Sequence, residues 1–122
     1  MTALPSPLRL RLDRAALIAN WRWLAAQSNG AACGAAVKAD GYGLGAEPIA
    51  KALWQAGART FFTVYPQEAL DLRKVLAKAR IFTLAGLDSH SAGPCRRAGI
   101  TPVINCGQEL AAWRAEAGKA GG

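Results

Sequence analysis

Lys38 is the residue whose surroundings in this chain could do chemistry. It closes the short apolar run Ala31-Ala32-Cys33-Gly34-Ala35-Ala36-Val37 and opens Ala39-Asp40-Gly41-Tyr42-Gly43-Leu44-Gly45, where three glycines alternate with Tyr42 and Leu44. A lysine between an apolar run and a glycine-rich turn sits at the C-terminal end of a strand, where barrel enzymes keep their reactive groups. An ammonium drawn into such surroundings loses hydration, which favours the neutral amine able to form an imine with a carbonyl. Lys38 is therefore a candidate Schiff-base lysine. Its competing fate is that of an ordinary strand-end lysine reaching for solvent.

Other chemistries fit less well. Gly41, Gly43 and Gly45 follow a G-x-G-x-G pattern, whereas the dinucleotide fingerprint is G-x-G-x-x-G with a carboxylate at the end of the next strand. Phe61-Phe62-Thr63-Val64 offers no carboxylate there, and no P-loop lysine follows the glycines. His90 is the only histidine, and it reads as a surface residue at a helix start because no Ser or Cys elbow accompanies it. Asp40 could orient the loop without being catalytic. Cys33, Cys95 and Cys106 are odd in number and lack a C-x-x-C pair, which points to reduced, mostly buried residues and to neither a disulfide framework nor a metal site.

The elements that must position Lys38 can be read from periodicity. Leu8 to Leu12 alternates apolar residues with arginine and reads as a short strand, after which Asp13 can cap a helix. Leu17, Trp21 and Leu24 recur at helical spacing, and Trp21, Trp23 and Trp54 read as packing residues. From residue 31 the chain repeats a short apolar run, a turn and an amphipathic stretch. The expected strands are Ala32 to Val37, Thr60 to Val64, Arg80 to Leu84 and Thr101 to Asn105, with helices between and after them. Gly57 and Gly99 stand where helices end and favour left-handed caps. Four βα units imply a parallel sheet. Periodicity leaves two architectures open, a doubly wound sheet or part of a (β/α)8 barrel.

With 122 residues, of which 52% are hydrophobic, the chain has room for one modest domain or a piece of one. No stretch approaches the ~18 apolar residues of a membrane helix, and the first residues lack a leader pattern, so a cytoplasmic location without membrane partners is the expectation. The formal charge is +7, yet the fifteen Lys and Arg residues are scattered, with Arg73-Lys74 and Arg96-Arg97 the only adjacent pairs. A nucleic-acid surface would show a cluster with interleaved aromatics. Arg9, Arg11, Arg14 and Arg22 read instead as a solvated face, and no nucleic-acid partner is expected.

The lysine segment closely resembles the pyridoxal-phosphate attachment motif of the alanine racemase family, roughly A-V-x-K-A-[ND]-A-Y-G-H-G. Gly41 stands where that family has Ala, and Leu44 where it has His. Leu10-Arg11-Leu12-Asp13-Arg14-Ala15-Ala16-Leu17-Ile18-Ala19-Asn20 is similar to the family's opening "I-D-L-x-A-L-x-x-N". Phe61-Phe62-Thr63-Val64 with Gln67-Glu68-Ala69-Leu70-Asp71-Leu72-Arg73 resembles "F-A-V-A…E-E-A-x-x-L-R", and Ile100 to Ile104 with Gln108-Glu109-Leu110 resembles "I-P-V-I…x-E-Q-L". Nearly the whole chain is covered in order.

This resemblance implies the barrel over the open sheet. Because a complete barrel needs ~250 residues, residues 1–122 correspond to a partial N-terminal barrel domain of about four βα units, with the rest of the barrel and a C-terminal β-domain not included. It further implies pyridoxal 5′-phosphate as cofactor, alanine as small-molecule substrate, interconversion of L- and D-alanine for cell-wall precursor supply, and a homodimer for the full-length enzyme. Lys38 would carry the cofactor and serve as one of two bases. Tyr42 would reach the cofactor phosphate through its hydroxyl, and Leu84 would pack against the pyridine ring. The second base, a tyrosine of the partner subunit in that family, lies beyond these residues, so the 122-residue chain alone is expected to be inactive. Two alternatives are a non-enzymatic pyridoxal-phosphate carrier on the same barrel and an inactive truncated product. Carrier-type homologues usually lack the Y-G-x-G turn after the lysine, so Tyr42-Gly43-Leu44-Gly45 favours the racemase.

Overall fold

The computed structural model describes residues 6–119. Helix α1 (Arg14–Gln27) starts where Asp13 accepts a hydrogen bond from the Ala16 amide at 2.9 Å, the expected N-cap. Past its C-cap Ser28 the chain turns through Asn29 and Gly30, both with positive φ. Four βα units follow. Their strands are β1 (Ala35–Ala36), β2 (Thr60–Thr63), β3 (Arg80–Thr83) and β4 (Ile100–Pro102), all parallel and in the spatial order of the sequence. The helical segments are α2 (Lys38–Tyr42), α3 (Ala46–Ala56), α4 (Pro66–Val75), α5 (Ala92–Arg97) and α6 (Gly107–Lys119).

Strand order and burial together decide between the two architectures. Alternate residues Phe61, Ile81 and Ile100 face one side of the sheet and join a single core with Ile49 and Leu53 of α3, Leu72 of α4 and Cys95 of α5. The connecting helices therefore cover one face. On the other face the register aligns Ala36, Phe62, Phe82 and Thr101 in one row across the four strands. Ala36 and Thr101 are exposed, while Phe62 and Phe82 are half-buried and stacked on each other with centroids 5.2 Å apart. A doubly wound sheet reverses its strand order and carries helices on both faces. Sequential order with one bare face is instead the arrangement of a barrel wall. Gly34 belongs to that face, because a Cβ there would come within 2.5 Å of the Phe62 ring.

Arg73 fastens the helix layer from below. Its guanidinium donates to the carbonyls of Leu76, Ala77 and Ala79 after α4 and to those of Ala98 and Gly99 after α5, at 2.7–3.1 Å. Burial pushes its pKa down from the usual arginine value. Gly57 and Gly99 take positive φ at the ends of α3 and α5, as expected.

Several expectations are corrected. Leu8 to Leu12 forms no strand, and Leu8 and Leu10 are 84% and 73% exposed, because alternation makes a strand only where a neighbour offers a ladder. The run Ala32 to Val37 pairs over Ala35–Ala36 alone, and β4 begins one residue earlier and ends three earlier than expected. Trp21 and Trp54 pack against the core, but Trp23 and Leu24 lie on the open side of α1. Among the cysteines only Cys95 is buried.

Candidate functional site

The four strands deliver their C-terminal ends to one rim, and Lys38 stands at the first of them. Val37 still donates its amide to the Phe62 carbonyl at 2.9 Å, and the chain then leaves the sheet at once. Segment α2 makes helical hydrogen bonds, Gly41 N to Val37 O and Gly43 N to Ala39 O at 2.9 Å, but with left-handed backbone. Ala39, Asp40, Gly41, Tyr42 and Gly43 have φ of +52°, +51°, +64°, +58° and +83°. Left-handed helix costs roughly 1–2 kcal/mol for each residue with a Cβ, so Ala39, Asp40 and Tyr42 together store about 3–6 kcal/mol. Something outside the turn must hold it.

Two carboxylates do so. Glu68, in the first turn of α4, accepts from the Ala39 amide with Oε1 at 2.8 Å. Its Oε2 accepts from the amides of Val64 and Tyr65 at 2.7 and 3.1 Å. Asp40 accepts from the Ala46 amide at 2.8 Å and so caps α3, the orienting role expected of it. Gly41 is buried beneath the turn, and a Cβ on it would lie 3.0 Å from the Ile49 side chain and 3.1 Å from the backbone of Ala46.

The structure brings Lys38 and Tyr42 together, with the ammonium 6.0 Å from the Tyr42 ring centre. Lys38 is half-buried, so the dehydrating surroundings expected of it are not supplied by these residues alone. Tyr42 is 62% exposed, with its ring at the open end of the turn. Leu84 follows β3 on the same rim, two strands along and thus roughly 10 Å away at the backbone. Its amide bonds the Thr63 carbonyl at 2.9 Å, and its carbonyl receives Asn105 Nδ2 at 3.1 Å. His90 is an exposed loop residue whose amide donates to Asp88. Among the described residues no group of three or more His, Cys, Asp and Glu could hold a metal ion.

A cleft of about 390 Å³ lies on the helix side of the turn, lined by Val37, Asp40, Glu47, Glu68, Asp71 and Leu72 among others. Hydrogen bonds from Lys74 and Gln67 hold the Asp71 carboxyl below its usual range. Four carboxylates make this cleft hostile to an anionic ligand. The rim, with its lysine and tyrosine, is the candidate site.

Glu68 is the site residue that motif reading missed. Its signal was available, since a glutamate three residues into a predicted helix start is one half of a capping box. Nothing in the sequence told that the same carboxylate also reaches the lysine turn.

Residues 12–122 match the family described as alanine racemase, N-terminal domain. The chain belongs to that family. It is 48% identical over 105 residues to an alanine racemase of Methylobacterium nodulans, covering 86% of this chain and 28% of that protein. A catabolic alanine racemase of Agrobacterium fabrum is 42% identical over 113 residues, covering 92% of this chain and 29% of that protein. The crystal structure of alanine racemase from Bartonella henselae with covalently bound pyridoxal phosphate superposes with a TM-score of 0.83 at 39% identity, over 89% of this chain and 31% of that one. The chain thus spans less than a third of the racemases it matches. Its parallel sheet is a segment of the alanine racemase barrel.

Proposed function

We propose that residues 1–122 are the lysine-bearing part of the barrel domain of a pyridoxal-phosphate-dependent alanine racemase, which interconverts L- and D-alanine for cell-wall precursors in the cytoplasm and works as a homodimer. The observation that carries this reading is the presentation of Lys38 at the end of β1 by a strained left-handed turn. Backbone strain of this size persists where the surrounding structure over-determines it, which is characteristic of functional sites.

The residues present fit the cofactor. Among the described residues the Lys38 ammonium forms no ion pair, which leaves its amine available on the rim. Tyr42 offers an exposed hydroxyl beside it, able to donate to a phosphate oxygen in a charge-assisted bond. Leu84 supplies an apolar surface on the same rim for an aromatic ring. Bound here, pyridoxal phosphate would supply an electron sink for the charge left when a substrate loses its α-proton. Lys38 Nζ would hold the covalent link and, once released from it, take or return the α-proton on one face of the substrate. In this reading the second base that inversion needs on the opposite face comes from outside residues 1–122.

The test is chemical. The full chain is incubated with pyridoxal phosphate, reduced with borohydride, digested and mapped. The pyridoxyl group is expected on Lys38, and a label confined to Lys51 or Lys74 would overturn the assignment.

A further inference from the structure

The lysine turn is attached to the rest of the domain at few points, and one of them lies on an element far away in sequence. Ala39 directly follows Lys38, so the position of its amide fixes where the Lys38 Cα and side chain start. That amide donates to Glu68, 29 residues later. The same carboxylate takes the amides of Val64 and Tyr65, which lead out of β2. Glu68 thus joins the exits of two neighbouring strands. Both oxygens are used as acceptors, a task for which glutamine is a poor substitute because its amide nitrogen can only donate.

An ordinary capping carboxylate would need none of this reach. Glu109, the corresponding glutamate of α6, accepts from the Asn105 amide at 2.6 Å and crowds Gly86 after β3, leaving no room for a Cβ there. The two glutamates are copies of one placement, but Glu109 bonds only its own strand end and merely lies against the loop of the preceding strand, whereas Glu68 bonds both. Only in the Glu68 copy does the tethered loop carry a lysine, and only there is the loop left-handed over consecutive residues with a Cβ.

We propose that Glu68 is a positioning residue for Lys38: its carboxylate pins the left-handed turn to the exit of β2 and so fixes where Nζ is presented on the rim. This rests on the reading of Lys38 as the cofactor lysine. Freed of the Ala39 bond, the turn can relax toward right-handed conformations, and displacement of a reacting group by about 1 Å costs on the order of a hundredfold in rate.

The experiment compares the wild-type full chain with Glu68→Gln and with Glu109→Gln, which disturbs the bond from α6 to the Asn105 amide. Amide exchange is followed at Ala39 and at Phe62 within β2. The rate of pyridoxal phosphate attachment to Lys38, trapped by borohydride, is measured against pH. Glu68→Gln is expected to expose the Ala39 amide while Phe62 stays protected, to slow attachment by tenfold to a hundredfold, and to alter its pH profile. Glu109→Gln is expected to leave both readouts at Lys38 unchanged. Should Glu68→Gln fail to fold, an amide-to-ester replacement at Ala39 removes the same donor while keeping the bonds to Val64 and Tyr65. Unchanged attachment in whichever of these variants folds, or an equal effect of Glu109→Gln, overturns the proposal. Absence of any Lys38 label in the wild type would instead overturn the cofactor reading itself.

Discussion

Phe61 and Phe62 are adjacent in sequence, yet the fold gives them opposite fates, and replacing each by alanine separates the closed face of the sheet from the open one. Phe61 is fully buried between the sheet and the helices. Its removal leaves a cavity in the core it shares with Leu53, Leu72 and Ile81, and a core Phe→Ala change costs about 3–5 kcal/mol. Phe62 is half-buried on the bare face, where it touches Phe82 with an interplanar angle of 24°. It loses a stack worth ~1 kcal/mol and most of the burial of a phenylalanine, together about 2–3 kcal/mol. The bare face also has a consequence for association. Residues 1–122 expressed alone present Phe62 and Phe82 to water, with β1 and β4 as unpaired edges, a template for contact between copies. Sedimentation velocity over a range of concentrations should show self-association that Phe62→Ala weakens by at least about tenfold, equivalent to ~1.4 kcal/mol. Urea unfolding should rank Phe61→Ala as the more damaging change. Equal costs for the two, or association indifferent to Phe62, would refute the assignment of the open face to this side of the sheet.

Tyr42→Phe should weaken retention of pyridoxal phosphate by ~1.5–3 kcal/mol, the worth of a hydrogen bond to a charged group, while Lys38 is still labelled; unchanged affinity by equilibrium dialysis would show that the hydroxyl has no phosphate contact. Arg73→Ala should cost about 3 kcal/mol, since several carbonyls at the ends of α4 and α5 lose a charged donor together. Arg73→Lys should recover less than half of that, because one ammonium cannot span both helix ends; a loss below about 1 kcal/mol for the alanine variant in urea unfolding would mean that water replaces the guanidinium freely.

The sequence by itself determined the repeat of strand, turn and helix, because burial on one face of a strand and one stripe of a helix leaves a periodic trace. It also located Lys38 at a strand end, since an apolar run, a lysine and alternating glycines are local features, and it assigned Asp13 and Asp40 their capping and orienting roles for the same reason. Tertiary structure decided the rest. Whether Leu8 to Leu12 becomes a strand depends on a neighbour to pair with, which no alternation of leucine and arginine can supply. That Phe61 is core and Phe62 lies on a bare face follows from all the helices lying on one side of the sheet, and two adjacent phenylalanines carry no mark of it. The left-handed hand of Ala39 to Gly43 was likewise hidden, because alanine, aspartate and tyrosine do not choose that conformation by themselves. A carboxylate from α4, brought to the Ala39 amide only when β1 and β2 pair, offsets the local strain, and that long-range bond is what places Lys38 on the rim.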